Sequence, residues 1–182
     1  MVMYYRRDFL KLGLGALVGS ALPFQVFASP IQHTEPPRSL DFYNIHTNER
    51  IKITYFDKGS YLPQALNQIN HVLRDHRTGE IFPIHTDLLD LLHSIKGHLP
   101  RPEFFNVISG YRSPETNEKL RHNTNGVAKL SYHMRGKAID IRVPGFDTQQ
   151  LRKLCVKLRR GGVGYYRNSD FVHVDIGPVR MW

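Results

Sequence analysis

The chain has 182 residues, 41% of them hydrophobic, and a formal charge of +9. That length builds one domain with a real core and hardly two, and the composition excludes a disordered chain. The one cysteine, Cys155, excludes an internal disulfide and any cysteine-rich zinc module.

The first segment reads as an export signal. Arg6 and Arg7 begin Arg-Arg-Asp-Phe-Leu-Lys, an apolar run follows from Leu12 to Phe27, and Val26-Phe27-Ala28 offers small residues to a signal peptidase. The paired arginines followed by Phe-Leu-Lys resemble a twin-arginine signal, which exports folded proteins. A membrane anchor fits less well. A spanning helix needs ~20 apolar residues, and this run contains Gly13, Gly15, Gly19 and Pro23. The expectation is a leader over 1–28, a flexible lead-in over 29–39 with Pro30, Pro36 and Pro37, and a domain over 40–182 in the periplasm. No stable membrane anchor is expected after cleavage, and no cysteine marks the cleavage site for lipidation.

Two β-type runs between Leu40 and Phe56 flank His46-Thr47-Asn48 and predict a hairpin. Pro63 opens a helix with Leu66, Ile69, Val72 and Leu73 on one face. Thr78-Gly79 breaks the chain. Thr86 is the expected cap of a second helix with Leu88, Leu91, Leu92 and Ile95 on one face, stopped by Gly97 and Pro100. A short strand spans Phe105 to Ser109. Ser113-Pro114 caps a short helix running to about Arg121, and 122–136 reads as an irregular loop.

Lys137 to Val143 is a strand. Asp147 with Gln150 forms a capping-box pattern ahead of a helix that places Leu151, Leu154, Cys155 and Leu158 on one stripe. Cys155 is therefore read as a buried small hydrophobe. Gly161-Gly162 ends that helix. Two last strands, Val163 to Tyr166 and Phe171 to Ile176, pair through a turn at Arg167-Asn168-Ser169. The fold class is α+β, a small antiparallel sheet flanked by helices.

Alternation in two of these strands carries chemistry. In Ala138–Val143, Ile139, Ile141 and Val143 point to a core while Ala138, Asp140 and Arg142 point away. In Phe171–Ile176, Val172, Val174 and Ile176 point in while Phe171, His173 and Asp175 point away. Neighbouring strands would let Asp140 meet His173, with His133 folding back on its loop. Two imidazoles and one carboxylate suit Zn2+ with a fourth position open. Asp170, three residues before His173, is placed to act as base without ligating metal. Asp175, two residues after it, is either a rival base or a partner that orients His173. Spacing alone also allows these to be unrelated structural residues.

Ser131-Tyr132-His133-Met134-Arg135-Gly136-Lys137-Ala138-Ile139-Asp140 resembles Ser-x-His-x-x-Gly-x-Ala-x-Asp, the motif of the LAS group of zinc peptidases. Ser109-Gly110-Tyr111-Arg112-Ser113 is similar to the segment that precedes the motif in its carboxypeptidase branch. Gly161–Tyr166 followed by Phe171–Asp175 resembles the YcbK-type branch of murein endopeptidases. The resemblance covers about 38–182. It implies zinc held by His133, Asp140 and His173, and Arg112, with Ser131, holding substrate or oxyanion. Two positions depart from the wider group: Phe171 stands where many relatives have a first histidine of His-x-His, and Asp170 where others have glutamate.

The implied activity is hydrolysis of peptidoglycan cross-links, in L,D or D,D linkages at diaminopimelate. The rivals are a carboxypeptidase trimming stem peptides and a non-catalytic envelope-binding module. The positive charge would suit nucleic acid in a cytosolic protein. The export signal and the absence of any nucleic-acid motif make peptidoglycan the expected partner instead. His71, His76, His93 and His98 read as surface or capping residues, His122 as a helix-end cation, and Trp182 with Arg180 as packing groups.

Overall fold

A computed structural model describes residues 35–100, 104–123 and 127–182. The expected leader and the first part of the lead-in lie outside them. Among the described residues no helix is long and apolar enough to cross a membrane.

The predicted hairpin forms from β1 (Arg38–Asn44) and β2 (Arg50–Asp57), paired antiparallel. Asn44 makes the turn, its side-chain oxygen accepting from the backbone of His46 at 3.0 Å. A two-residue strand, β3 (Ser60–Tyr61), adds to β2 and was not anticipated. Helix α1 (Pro63–Val72) starts at its proline and buries Ala65, Ile69 and Val72. Helix α2 (Thr86–Gly97) is capped by His85 rather than Thr86, since the His85 ring accepts from the Asp87 backbone. Strand β4 (Phe105–Ser109) leads to α3 (Pro114–Asn123), where the Ser113 hydroxyl accepts from the Thr116 backbone at 3.2 Å.

A 3-10 turn, Tyr132–Arg135, lies within the expected loop and leads to β5 (Ala138–Arg142). Asp147 caps α4 (Thr148–Leu158), accepting from Gln150 at 2.8 Å. The helix ends at Arg159, in the left-handed region at φ 51°, before the glycine pair is reached. β6 (Gly162–Tyr166) and β7 (Phe171–Asp175) then form the last predicted hairpin, and β8 (Arg180–Met181) returns beside β6.

The class is α+β, as read. The sheet is larger than expected, eight strands in the order β3-β2-β1-β4-β5-β7-β6-β8, and it is mixed: β1 with β4 and β6 with β8 are parallel. Those two pairings join segments distant in sequence, which local patterning does not reveal. The pairs that carry the site, β4–β5, β5–β7 and β7–β6, are antiparallel.

Ile139, Ile141, Val172 and Val174 are fully buried or nearly so and join Leu151 and Cys155 of α4 in one core. Burying each such aliphatic side chain stabilises the fold by roughly 1.5–3 kcal/mol. Truncating Ile139 to alanine would cost about 2–5 kcal/mol. The same alternation that sends these side chains inward presents the intervening residues on the opposite face.

Candidate metal centre

The register places Asp140 directly opposite His173, with Ile139 opposite Val174 and Ile141 opposite Val172. Cross-strand partners share a face, so the two alternations read from sequence coincide in space. The 3-10 turn brings in His133. Its first backbone donor is satisfied by Ser131, whose hydroxyl accepts from the His133 N–H at 3.3 Å. Its end is Gly136, in the left-handed region at φ 61°. A side chain there would strike the carbonyl of Pro83, so close backbone approach explains this small residue.

His133, Asp140 and His173 are all buried and form a group able to hold a metal ion. His173 Nδ1 lies 2.9 Å from Asp140 Oδ1 and 3.1 Å from His133 Nε2, and His133 Nε2 lies 3.3 Å from the same carboxylate oxygen. The far nitrogen of each ring has its own acceptor. His133 Nδ1 donates to the Gly110 carbonyl at 2.8 Å, and His173 Nε2 donates to Asp175 Oδ2 at 3.0 Å. In the neutral rings, with each proton assigned there by its acceptor, two nitrogen lone pairs and a carboxylate oxygen converge on one point. That donor set fits a tetrahedral Zn2+ with one position open.

Burial and the acidic neighbours act against each other at the two rings. Burial disfavours the imidazolium of His173, yet Asp140 and Asp175 outweigh it and push its pKa up to about 9. Burial lowers His133, and the Asp140 charge opposes that only in part. Burial would raise Asp140, but the two histidines hold it well below the usual carboxylate range.

Arg112 approaches the same carboxylate, its Nη2 lying 3.8 Å from Asp140 Oδ2 and 3.4 Å from the Ser109 hydroxyl. Its buried Nε has no partner. Burial lowers its pKa, with the Asp140 charge working the other way. Ser131 is spent on capping the turn. Asp175 is fully buried and engaged by His173, Arg180 and the backbone N–H groups of Gly177 and Gly162.

No hydrogen bond or ion pair joins Asp170 to the three donors. It stands at the entry to β7 in the left-handed region at φ 52°, where aspartate is tolerated. Its Oδ1 accepts from the Thr148 hydroxyl at 2.7 Å, its Oδ2 lies 3.7 Å from Arg142, and its side chain is 62% exposed.

Two residues that sequence reading treated as packing groups lie at the site. Arg180 forks onto Asp175, and the Trp182 ring lies 5.3 Å from that of His173. The sequence signal for them was thin, an Asp and an Arg five positions apart across a Gly-Pro turn. Among the described residues, no other histidine joins this group. His122 pairs with Glu118, His98 ends α2, and His76 stacks on His46 at 3.8 Å.

Residues 32–182 match the family model described as peptidoglycan L,D-endopeptidase MepK. The peptidoglycan L,D-endopeptidase MepK of Escherichia coli K12 is 43% identical over 177 residues, 97% of this chain and 96% of that protein. The protein named probable peptidoglycan L,D-endopeptidase MepK in Haemophilus influenzae is 40% identical over 178 residues, 97% of this chain and 95% of its own. No solved structure matches the chain.

Proposed function

The chain belongs to the peptidoglycan L,D-endopeptidase MepK family, and from that premise we propose that it is a zinc-dependent endopeptidase that hydrolyses peptide cross-links of peptidoglycan. The bond cut is the L,D linkage between diaminopimelate residues, with D,D linkages a secondary substrate. The observation that carries this reading is the convergence of His133 Nε2, Asp140 Oδ1 and His173 Nδ1 within hydrogen-bonding distance of one another.

These three residues would hold Zn2+, which when bound supplies a Lewis acid that polarises the scissile carbonyl and makes water acidic enough to attack near neutral pH. The Gly110 carbonyl and Asp175 fix the two rings so that the ligating nitrogens need no reorientation. Ser131 contributes by capping the turn that carries His133. Arg112, whose Nη2 lies beside Asp140 and whose Nε is unpartnered, donates to the oxygen on which charge develops. Asp170 takes the proton from the attacking water and returns it to the leaving amine. In this role its carboxylate leaves Thr148 when substrate binds, since catalytic contacts tighten only in the complex. Export by the twin-arginine-type leader would deliver the enzyme to its substrate in the periplasm.

The test is to incubate the purified protein with cross-linked muropeptides, with and without chelator, and to resolve products by mass. Chelator-sensitive loss of diaminopimelate-linked dimers is expected. Release of a terminal D-alanine with dimers intact would instead make the protein a carboxypeptidase, and no product with zinc present would make it a binding module. For the base, Asp170→Asn keeps an acceptor for Thr148 but takes no proton. Its rate should fall on the order of 100- to 10,000-fold, and full activity would place the base elsewhere.

A further inference from the structure

Behind His173 the chain builds a second layer from β8 and the residue after it. Asp175, whose Oδ2 accepts from His173 Nε2 at 3.0 Å, is 0% exposed. A buried carboxylate needs its remaining lone pairs met: the Gly177 and Gly162 N–H groups donate to Oδ1 at 2.8 and 3.3 Å, and Arg180 adds a fork, Nη2 to Oδ2 at 2.6 Å and Nη1 to Oδ1 at 3.0 Å. The guanidinium itself lies over two aromatic rings, 5.2 Å from the centroid of Tyr132 and 5.0 Å from that of Trp182. Tyr132 opens the turn that carries His133, and Trp182 lies against His173, so each histidine adjoins one of these residues.

Backbone pairing seats this layer. Trp182 donates to the Val163 carbonyl at 3.2 Å and accepts from Tyr165 at 3.0 Å, while its indole N–H reaches the Tyr166 hydroxyl at 3.2 Å. Gly162 leaves the room. A Cβ there would lie 2.5 Å from both Arg180 Nη1 and Asp175 Oδ2.

We propose that Arg180 is a positioning residue of the metal centre: packed over Tyr132 and Trp182, it pins Asp175, and Asp175 in turn fixes His173 with Nδ1 facing Asp140 and His133. This rests on the metal-site reading above. It assigns Arg180 a part in zinc affinity although it touches no ligand atom. Planar two-point pairing matters here, because a point charge cannot hold both carboxylate oxygens.

The test is zinc affinity of the full chain, measured by competition with a chromophoric chelator, with circular dichroism and thermal melting on each metal-free variant. Arg180→Gln should weaken zinc binding about 10- to 100-fold, the range for losing an outer partner of a ligating histidine. Arg180→Lys should recover part of that loss. Asp175→Asn should weaken binding comparably, and Arg180→Gln combined with Asp175→Asn should be no worse than the weaker single variant, because Arg180 acts through Asp175. Affinity within twofold of wild type in a folded Arg180→Gln protein, or losses that multiply in the double variant, would overturn the proposal. If Arg180→Gln does not fold, Arg180→Lys decides by the same twofold criterion, and Gly162→Ala, which leaves both partners chemically intact, should weaken zinc binding as well. A wild-type protein that binds no zinc would sink the metal reading before any variant is compared.

Discussion

Two buried aspartates lie on either side of the Tyr111-Arg112 segment, and the difference between them separates structure from chemistry. Asp75 is 1% exposed and Asp140 5%. Both are held below the usual carboxylate range against the opposing effect of burial, Asp75 at about 2 by hydrogen bonds from Thr116, Ser113 and Arg77, and Asp140 by His133 and His173. Burial and acidity therefore do not tell them apart. Their partners do. Asp75 accepts from the Ser113 backbone at 2.9 Å, the Ser113 hydroxyl at 2.8 Å and the Arg77 backbone at 2.9 Å, all groups that bring their own hydrogens. Asp140 faces two imidazole nitrogens whose ring protons are directed to Gly110 and Asp175. One constellation is complete as protein, while the other has donors left over for a cation.

The sharpest way to break that distinction is to remove Asp140. Asp140→Ala should lower kcat/KM on the order of a thousandfold or more, since several kcal/mol of charge stabilisation at the reacting carbonyl would go with the metal. Zinc content after dialysis should fall well below one per chain while circular dichroism stays native. Retention of zinc and activity together would remove Asp140 from the site. Chelation of the wild-type protein should abolish the same activity, with zinc restoring it, and should lower its melting temperature. The melting temperature of Asp140→Ala should not respond to zinc.

Asp75→Asn should do the reverse. It should cost about 1–3 kcal/mol in urea unfolding, the penalty for leaving buried hydrogen-bond groups mismatched, and it should bind zinc as tightly as wild type. Loss of zinc from a folded Asp75→Asn protein would show that the two carboxylates belong to one unit.

Acid provides a finer measure. The folded Asp75 pKa, about 2, is depressed below its ordinary value of ~4. Its contribution is therefore fully present above pH ~4 and is lost as pH falls from there toward 2. The loss is on the order of 2 kcal/mol. The difference in urea midpoint between wild type and Asp75→Asn should shrink across that window, and a constant difference would contradict the assignment. The smallest effect belongs to Cys155, which burial pushes up to about 12 against an opposing backbone hydrogen bond. A thiol reagent at pH 8 should label it only on unfolding, and fast labelling of native protein would mean that the α4 side of the core is open.

Much of this was legible because it is local. The Asn44 turn, the proline starts of α1 and α3 and the Asp147 cap each depend on neighbours within a few residues, as does the alternation in β5 and β7. The site residues His133, Asp140, His173 and Arg112 were named by motif, and folding brings them together. Asp170 shows the limit. Its place three residues before His173 is visible in sequence, but the direction of its carboxylate depends on a left-handed turn and on Thr148, 22 positions away.

The sequence by itself determined which side of each strand faces the core, because a period of two follows from backbone geometry alone. It also determined which residue types with metal-binding chemistry lie on the other side. Only the tertiary structure decided how they are aimed. The Gly110 carbonyl that orients His133 comes from 23 residues away, and the Asp140–His173 contact spans 33. The Arg180 fork on Asp175 depends on β8 returning beside β6, with the rings of Tyr132 and Trp182 against the guanidinium. Such contacts are selected by packing and hydrogen-bond satisfaction over the whole fold, and no local pattern encodes them.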